Sequence, residues 1–195
     1  FKGKKILEVG CGAGIDLARF AAGGAIVTGI DLSRTAIDLA KKNFELRGLK
    51  GTFAVADGEA LEYEDSSFDM VYVHGVLQYT ADARQMAKEA YRVLMPGGQF
   101  IAMVYNRQGW LNIMSKFFKV GLEHEDAPVL DKYTIVEAAR TRTVYNWLQY
   151  FSPEVLKAEF ETCGFTTEAL YSDVAGAPFE SESEEFAIVA KKPGT

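Results

Sequence analysis

The sequence predicts a doubly wound α/β fold built on a mainly parallel sheet, and three observations carry that prediction. Strand-like and helix-like segments alternate from Lys5 to Asn106, the pattern of right-handed βαβ units with helices on both faces of a sheet. The run Ile6-Leu7-Glu8-Val9-Gly10-Cys11-Gly12-Ala13-Gly14 ends a β-prone segment in three glycines, just before helix-like Ile15 to Ala22. An acid, Asp31, then closes a second strand-like run roughly 20 residues after Gly10. On such a strand-to-helix turn the glycines let backbone approach a ligand closely, because no Cβ intervenes. The helix N-terminus offers free N–H groups to a carboxylate or phosphate, and the acid can accept both hydroxyls of a ribose. A nucleoside cofactor is the chemistry this pattern suits.

The elements follow in order. Lys5 to Val9 is the first strand and Val27 to Leu32 holds the second. Ser33 is placed to cap a helix whose Ala36, Ile37, Ala40 and Phe44 form one apolar stripe, with Gly48 as its end. Val55-Ala56-Asp57-Gly58 follows a third strand, and Phe68 to His74 is a fourth. Asp82 caps the next helix, with Ala83, Met86, Ala87, Ala90 and Leu94 facing one way and Pro96-Gly97-Gly98 as its stop. Gln99 to Tyr105 is a fifth strand. Ser152 and Pro153 open a later helix, with Val155, Leu156, Phe160 and Cys163 inward and Gly164 at its end. Phe165 to Tyr171 and Phe186 to Ala190 read as two further strands, making seven, joined by a loop whose Glu180 to Glu185 stretch reads as a solvated tip.

Composition bounds the function. A chain of 195 residues, 48% apolar and 25% charged, suits a single globular domain over 1–195. It contains no apolar run of about 18 residues and no charged-then-apolar leader, so neither a membrane span nor a signal peptide is expected, and the cytoplasm is the expected location. Two cysteines cannot build a dense disulfide framework. Scattered cysteines and histidines give no metal-ligand spacing, so no metal is expected; His124, among Glu123, Glu125 and Asp126, reads as a surface residue paired with acids. A net charge of −6 works against nucleic-acid binding, which calls for a basic face. A small-molecule partner is favoured.

Glycine spacing selects the nucleoside. A dinucleotide fingerprint needs G-x-G-x-x-G, whereas Ile15 stands where the third glycine would fall. The E-V-G-C-G-A-G run with its distal Asp31 resembles motif I and the second-strand acid of class I S-adenosylmethionine-dependent methyltransferases. Further matches in the family's order are Val55 to Gly58, Phe68 to His74 and Val93-Leu94-Met95-Pro96-Gly97-Gly98, and Phe151 to Phe165 resembles its last helix and the turn beyond. The resemblance covers nearly the whole chain and implies a Rossmann-like, seven-stranded fold with an antiparallel last strand. Family members usually carry one or two helices before the first strand, so a native N-terminal segment is expected beyond Phe1. In the family, a substrate-covering insertion often lies where this chain has 107–150. That segment is longer than a crossover needs and carries Trp110, Met114, Phe117, Phe118, Tyr133, Tyr145 and Trp147.

The resemblance also implies roles at individual positions. Gly10, Cys11, Gly12 and Gly14 contribute backbone to the cofactor site; Glu8 lies near the methionine amino group, and Asp31 takes the ribose with Leu32 on the adenine face. Asp57 receives the adenine amino group, with backbone N–H of Gly58 or Glu59 reading the ring. His74 contributes backbone, and its side chain sits at the crevice edge where doubly wound sheets bind ligands. A helix N-terminus can lower the Cys11 thiol pKa, though in the family this residue is usually no nucleophile. The N-P-P-F-type motif of base-amine methyltransferases is absent: that place reads His74-Gly75-Val76-Leu77. The expected activity is transfer of a sulfonium methyl to an O, N or C atom of a small, apolar or aromatic acceptor, with His74 and Tyr105, beside Asn106, as candidate catalytic residues. The alternatives are a cofactor-binding scaffold that regulates a partner, and a nicotinamide-dependent oxidoreductase.

Overall fold

The computed structural model describes residues 1–109, 129–136 and 141–194, with Val129–Val136 and Thr141–Leu148 described by backbone alone. In chain order the elements are β1 (Lys5–Val9), α1 (Ile15–Ala22), β2 (Ile26–Asp31), α2 (Arg34–Leu46), β3 (Thr52–Val55), β4 (Phe68–His74), a 3₁₀ turn (Leu77–Tyr79), α3 (Ala83–Val93) and β5 (Leu94–Tyr105). Then come β6 (Val129–Val136), β7 (Thr141–Leu148), α4 (Pro153–Thr162), β8 (Thr166–Tyr171) and β9 (Glu185–Lys191). A seven-stranded sheet runs β3-β2-β1-β4-β5-β9-β8, and β6 with β7 forms a separate antiparallel ribbon. Strands β1 to β5 pair in parallel, while β9 runs antiparallel to both β5 and β8. The chain leaves β1 toward β2 and β3, then returns to its other side with β4. The strand order therefore reverses between β1 and β4, which opens a crevice at their carboxyl ends.

Side-chain alternation along the strands feeds two cores. Leu7, Val71 and Phe100 pack with Met86 and Ala90 of α3 and with Leu156 and Phe160 of α4 on one face. Ile6, Val27 and Met70 pack with Leu17 of α1 and Phe44 of α2 on the other. Full burial of each such side chain contributes about 1.5–3 kcal/mol, which is what holds the layers in register. Ser33 and Asp82 cap as the sequence implies, accepting from the N–H of Ala36 and of Gln85.

Two boundary expectations are corrected. Helix α3 stops at Val93, and Leu94 belongs to β5: it is fully buried and pairs with Phe68 before the register slips, so that Gln99 faces Met70. Pro96-Gly97-Gly98 is therefore a bulge inside a strand, a place where proline costs no ladder bond. On α4, Val155 is 42% exposed, and the buried face is Pro153, Leu156 and Phe160 instead. The aromatic residues Trp110, Phe117 and Phe118, with Met114, lie outside the described residues, as do the side chains of Tyr133, Tyr145 and Trp147 and the whole of His124. Strand β7 does run beside the 3₁₀ turn, and the Gln149 N–H that follows it donates to the Gln78 carbonyl at 2.8 Å.

Candidate active site

Among the described residues, two hollows open along the crevice. The first, about 460 Å³, is lined among others by Val9, Asp31, Leu32, Asp57, Gly58 and Met86. The second, about 380 Å³, is lined among others by Glu8, Cys11, Gly12, Asp16, His74 and Tyr105. Gly10 and Gly75 line both, so the hollows meet over the turn that follows β1. Each is within the size range of small-molecule sites.

The glycine turn is shaped by tertiary contacts. Gly10 has φ +71°, and a Cβ there would run into the Val76 side chain across the mouth of the site. Gly12, at φ +51°, has nothing within 4 Å of where its Cβ would stand, so its missing side chain is open space on the ligand side. The N–H groups of Gly10 and Cys11 both donate to the Ile30 carbonyl, at 2.8 and 2.9 Å. These two residues thus contribute shape rather than donors. Gly14 lines neither hollow; it caps α1 and lets that turn sit on Ala40 and Phe44 of α2.

The first hollow brings Asp31 and Asp57 to the same side. Asp31 accepts from Gly12 N at 3.0 Å and Ser33 N at 2.8 Å, which holds the carboxylate rigid while leaving lone pairs for hydroxyl donors. Leu32 beside it is 73% exposed and forms an open apolar ledge. Asp57 accepts the Glu59 N–H at 2.9 Å, so that amide is already engaged. The Glu59 carboxylate in turn accepts from Ala81 N and Asp82 N at 3.0 and 3.1 Å, tying the opposite rim in place. Neither that clamp nor the contributions of Val76, Tyr79 and Met86 was legible in the sequence, because each arrives from another element.

Glu8 dominates the electrostatics of the second hollow. Its side chain is 4% exposed and Oε2 has no hydrogen-bond partner. Burial, and then the charges of Asp16 and Asp31, push its pKa up from 4.5 to about 8 against the pull of the Leu17 amide. That amide belongs to the first turn of α1, so the helix N-terminus already faces one of the protein's own acids. A buried carboxyl with an unanswered oxygen is costly, and a ligand cation there would answer it. The Cys11 thiol goes the other way from a helix-activated cysteine: burial, then Glu8 and Asp31, raise its pKa to about 12.

At the outer end of this hollow His74 Nδ1 lies 2.8 Å from Asp16 Oδ2, with the Tyr72 hydroxyl 3.2 Å from the same nitrogen. Asp16 was read in the sequence only as part of a helix. Tyr105 lines the hollow near them, its hydroxyl accepting from Tyr79 at 3.3 Å. Asn106, by contrast, is fully buried; its Nδ2 donates to the carbonyls of Ser181 and Ser183 at 2.9 and 2.8 Å. It fastens the β8–β9 loop and takes no part in the site. Among the described residues no Lys or Arg lines either hollow, and no group of three or more His, Cys, Asp or Glu is placed to hold a metal.

The donor set fits S-adenosylmethionine. Asp31 and the Leu32 ledge suit a ribose and an adenine, and Asp57 suits an exocyclic amine. The unpartnered Glu8 suits an ammonium. A dinucleotide fits poorly, since its pyrophosphate would meet carboxylates and, among the described residues, no cation.

The fold and these hollows define a nucleoside-binding doubly wound domain, and comparison with known proteins narrows the class. A methyltransferase-domain family model matches residues 7–102. A ubiquinone biosynthesis O-methyltransferase of Coxiella burnetii is 36% identical over 106 residues, 54% of this chain and 45% of that protein. An uncharacterized protein of Methanocaldococcus jannaschii is 33% identical over 138 residues, 67% of this chain and 60% of that one. The chain spans about half the length of the curated relatives it matches. A crystal structure of an S-adenosylmethionine-dependent methyltransferase from Methanosarcina mazei superposes with a TM-score of 0.77 at 25% identity, covering 100% of this chain and 95% of that one. These matches support a class I S-adenosylmethionine-dependent methyltransferase, a family whose cofactor is S-adenosylmethionine.

Proposed function

We propose that this chain transfers the methyl group of S-adenosylmethionine to a hydroxyl oxygen of a small, uncharged acceptor with apolar or aromatic character. The observation that carries this reading is the pair of hollows meeting at Gly10 and Gly75, one fitted to a nucleoside and the other ending at His74 and Tyr105. The name of the Coxiella burnetii relative supports oxygen as the atom methylated. Bound S-adenosylmethionine supplies an electrophilic methyl on a positively charged sulfur. The protein's part is then to hold the acceptor in line with it and to keep water out. Gly10 gives the backbone close approach, Asp31 and Glu8 fix the two ends of the donor, and Tyr79 and Tyr105, whose ring centroids lie 6.2 Å apart, border the way to the acceptor, with the Tyr150 ring 6.0 Å from that of Tyr105 behind them.

The segment 107–150 is proposed as the cover of this site, supported by the approach of β7 to the 3₁₀ turn. Hydrogen exchange in β6 and β7 is expected to slow on addition of S-adenosylhomocysteine; unchanged exchange there removes the cover. The function itself is tested by calorimetry and by mass spectrometry with phenols, amines and thiols as acceptors. Micromolar binding of S-adenosylmethionine, about 8 kcal/mol, no binding of NAD, and gain of one methyl on a hydroxyl acceptor are the expected results. Binding of NAD in place of S-adenosylmethionine, or donor binding with no transfer to any acceptor, would reject the proposal.

A further inference from the structure

We infer that Asp16 and His74 form a proton-accepting pair for the acceptor, with His74 as the base and Asp16 as its positioning residue, and that the acceptor is therefore a hydroxyl compound that must lose its proton. The inference deepens the methyltransferase reading and rests on it. The geometry carries it. Asp16 Oδ2 stands 2.8 Å from His74 Nδ1, while its other oxygen, Oδ1, accepts from the Arg19 guanidinium at 2.9 Å. A ring lone pair facing a carboxylate oxygen at that distance would be repulsive, so the proton sits on Nδ1 and points at Asp16. The Tyr72 hydroxyl, 3.4 Å from the same carboxylate oxygen, donates to it. Burial, then the charges of Asp16 and Glu8, raise the Tyr72 pKa further, which keeps it a donor.

With Nδ1 committed, the lone pair of the ring is on Nε2. The side chain of His74 is 32% exposed, and His74 lines the second hollow together with Tyr105, Met103 and Gly75. An imidazole held by a carboxylate on one nitrogen and, among the described residues, without a partner on the other is the arrangement by which an orienting acid fixes the tautomer of a base. In the transfer, the O–H bond of the acceptor breaks and its proton goes to Nε2. The oxygen's electron pair forms the O–CH₃ bond, and the C–S pair stays on sulfur, leaving a neutral thioether. The imidazolium so formed faces the Asp16 carboxylate and afterwards yields its proton to water.

Nothing in the local sequence marks Asp16 for this. It sits in the first turn of α1, where an acid is favoured by the helix dipole alone, and it meets His74 only because β1 and β4 are neighbours.

The test has two arms on the intact chain. The first reads the tautomer: with two histidines in the sequence, the His74→Gln spectrum assigns the His74 ring nitrogens by NMR. The neutral ring is expected with its proton on Nδ1; a proton on Nε2 overturns the pair. The second arm measures transfer from S-adenosylmethionine to a phenol, a dihydroxybenzene and a primary aromatic amine. Asp16→Asn is expected to lower kcat on the hydroxyl acceptors about tenfold or more, and His74→Gln about 100-fold. Acceptor KM is expected to change little, and an acceptor amine with its lone pair free is expected to lose far less. Hydroxyl transfer within about threefold of the parent in both variants overturns the pair while leaving the methyltransferase reading intact. Absence of transfer by the parent chain to every acceptor, with donor bound, overturns that reading and the base together.

Discussion

At the scale of single residues, Glu8 is a buried acid whose folded-state pKa, about 8, stands above its ordinary 4.5. Between those values the folded chain holds a proton that the unfolded chain has released, so stability falls as pH rises through this window and the acid weighs nothing against the fold below it. Glu8→Gln is accordingly expected to raise the melting temperature of the ligand-free protein at pH 8 and to leave it nearly unchanged at pH 4.5; equal melting curves at both would remove the buried-acid account. The same proton reports on the ligand. Binding of a cation beside Glu8 favours the carboxylate, so near pH 7 S-adenosylmethionine is expected to bind with release of up to about one proton. Calorimetry in buffers of different ionisation enthalpy measures that proton, which Glu8→Gln should lose. Asp31 is the other anchor: Asp31→Ala removes a charged acceptor from two hydroxyls and is expected to weaken S-adenosylmethionine by roughly 2–4 kcal/mol, a titration measurement. An unchanged affinity would mean that Asp31 serves only the turn, where it holds Gly12 and Ser33.

At the scale of elements, the carboxyl end of β5 divides two tasks between adjacent residues. Tyr105 lines the second hollow, while Asn106, one residue on, points its carboxamide the other way into the β8–β9 loop. That alternation follows from the pleat of a strand, in which neighbours face opposite sides. Asn106→Ala would leave two part-buried loop carbonyls without their donor and free the Gln108 N–H that its Oδ1 accepts at 3.1 Å. A loss of roughly 1–3 kcal/mol in denaturant unfolding is expected, with S-adenosylmethionine affinity unmoved. A large loss of affinity at unchanged stability would instead put Asn106 back in the site. The clamp of Glu59 on Ala81 and Asp82 works in the same structural manner, joining the end of β3 to the start of α3 across the first hollow.

At the scale of the whole molecule, charge is distributed toward the ligand. The chain is acidic overall, at −6, and the two hollows present Glu8, Asp16, Asp31, Asp57 and Glu59 with no Lys or Arg among the described lining residues. S-adenosylmethionine carries one more positive charge than the demethylated product, so the field favours donor over product. Its affinity at low salt is expected to exceed that of S-adenosylhomocysteine by about tenfold, with the gap narrowing as ionic strength rises. Titrations at two salt concentrations check this. A product that binds as tightly as the donor at low salt would show that the carboxylates are neutralised in the complex.

Patterns along the chain specify the layered α/β class, the seven strands of the main sheet and the strand–glycine–helix turn, and they point to Asp31 and Asp57, which line one hollow. Each of these rests on a local rule: period-2 and period-3.6 alternation, capping by Ser33 and Asp82, and glycine where a Cβ would not fit. Where local rules competed with packing, they misplaced boundaries. Leu94 continues the apolar stripe of a helix in the sequence, yet its burial against Phe68 draws it into β5, and Pro96 becomes part of a bulge. Which residues meet is set by the strand order. Asp16 and His74 lie on α1 and β4 and become partners at 2.8 Å because β4 returns beside β1. The raised pKa of Glu8 has the same origin, since burial and two acids from other elements create it. Chain-local patterns record the interactions of neighbours in sequence, whereas burial, field and the approach of distant side chains exist only once the sheet has closed.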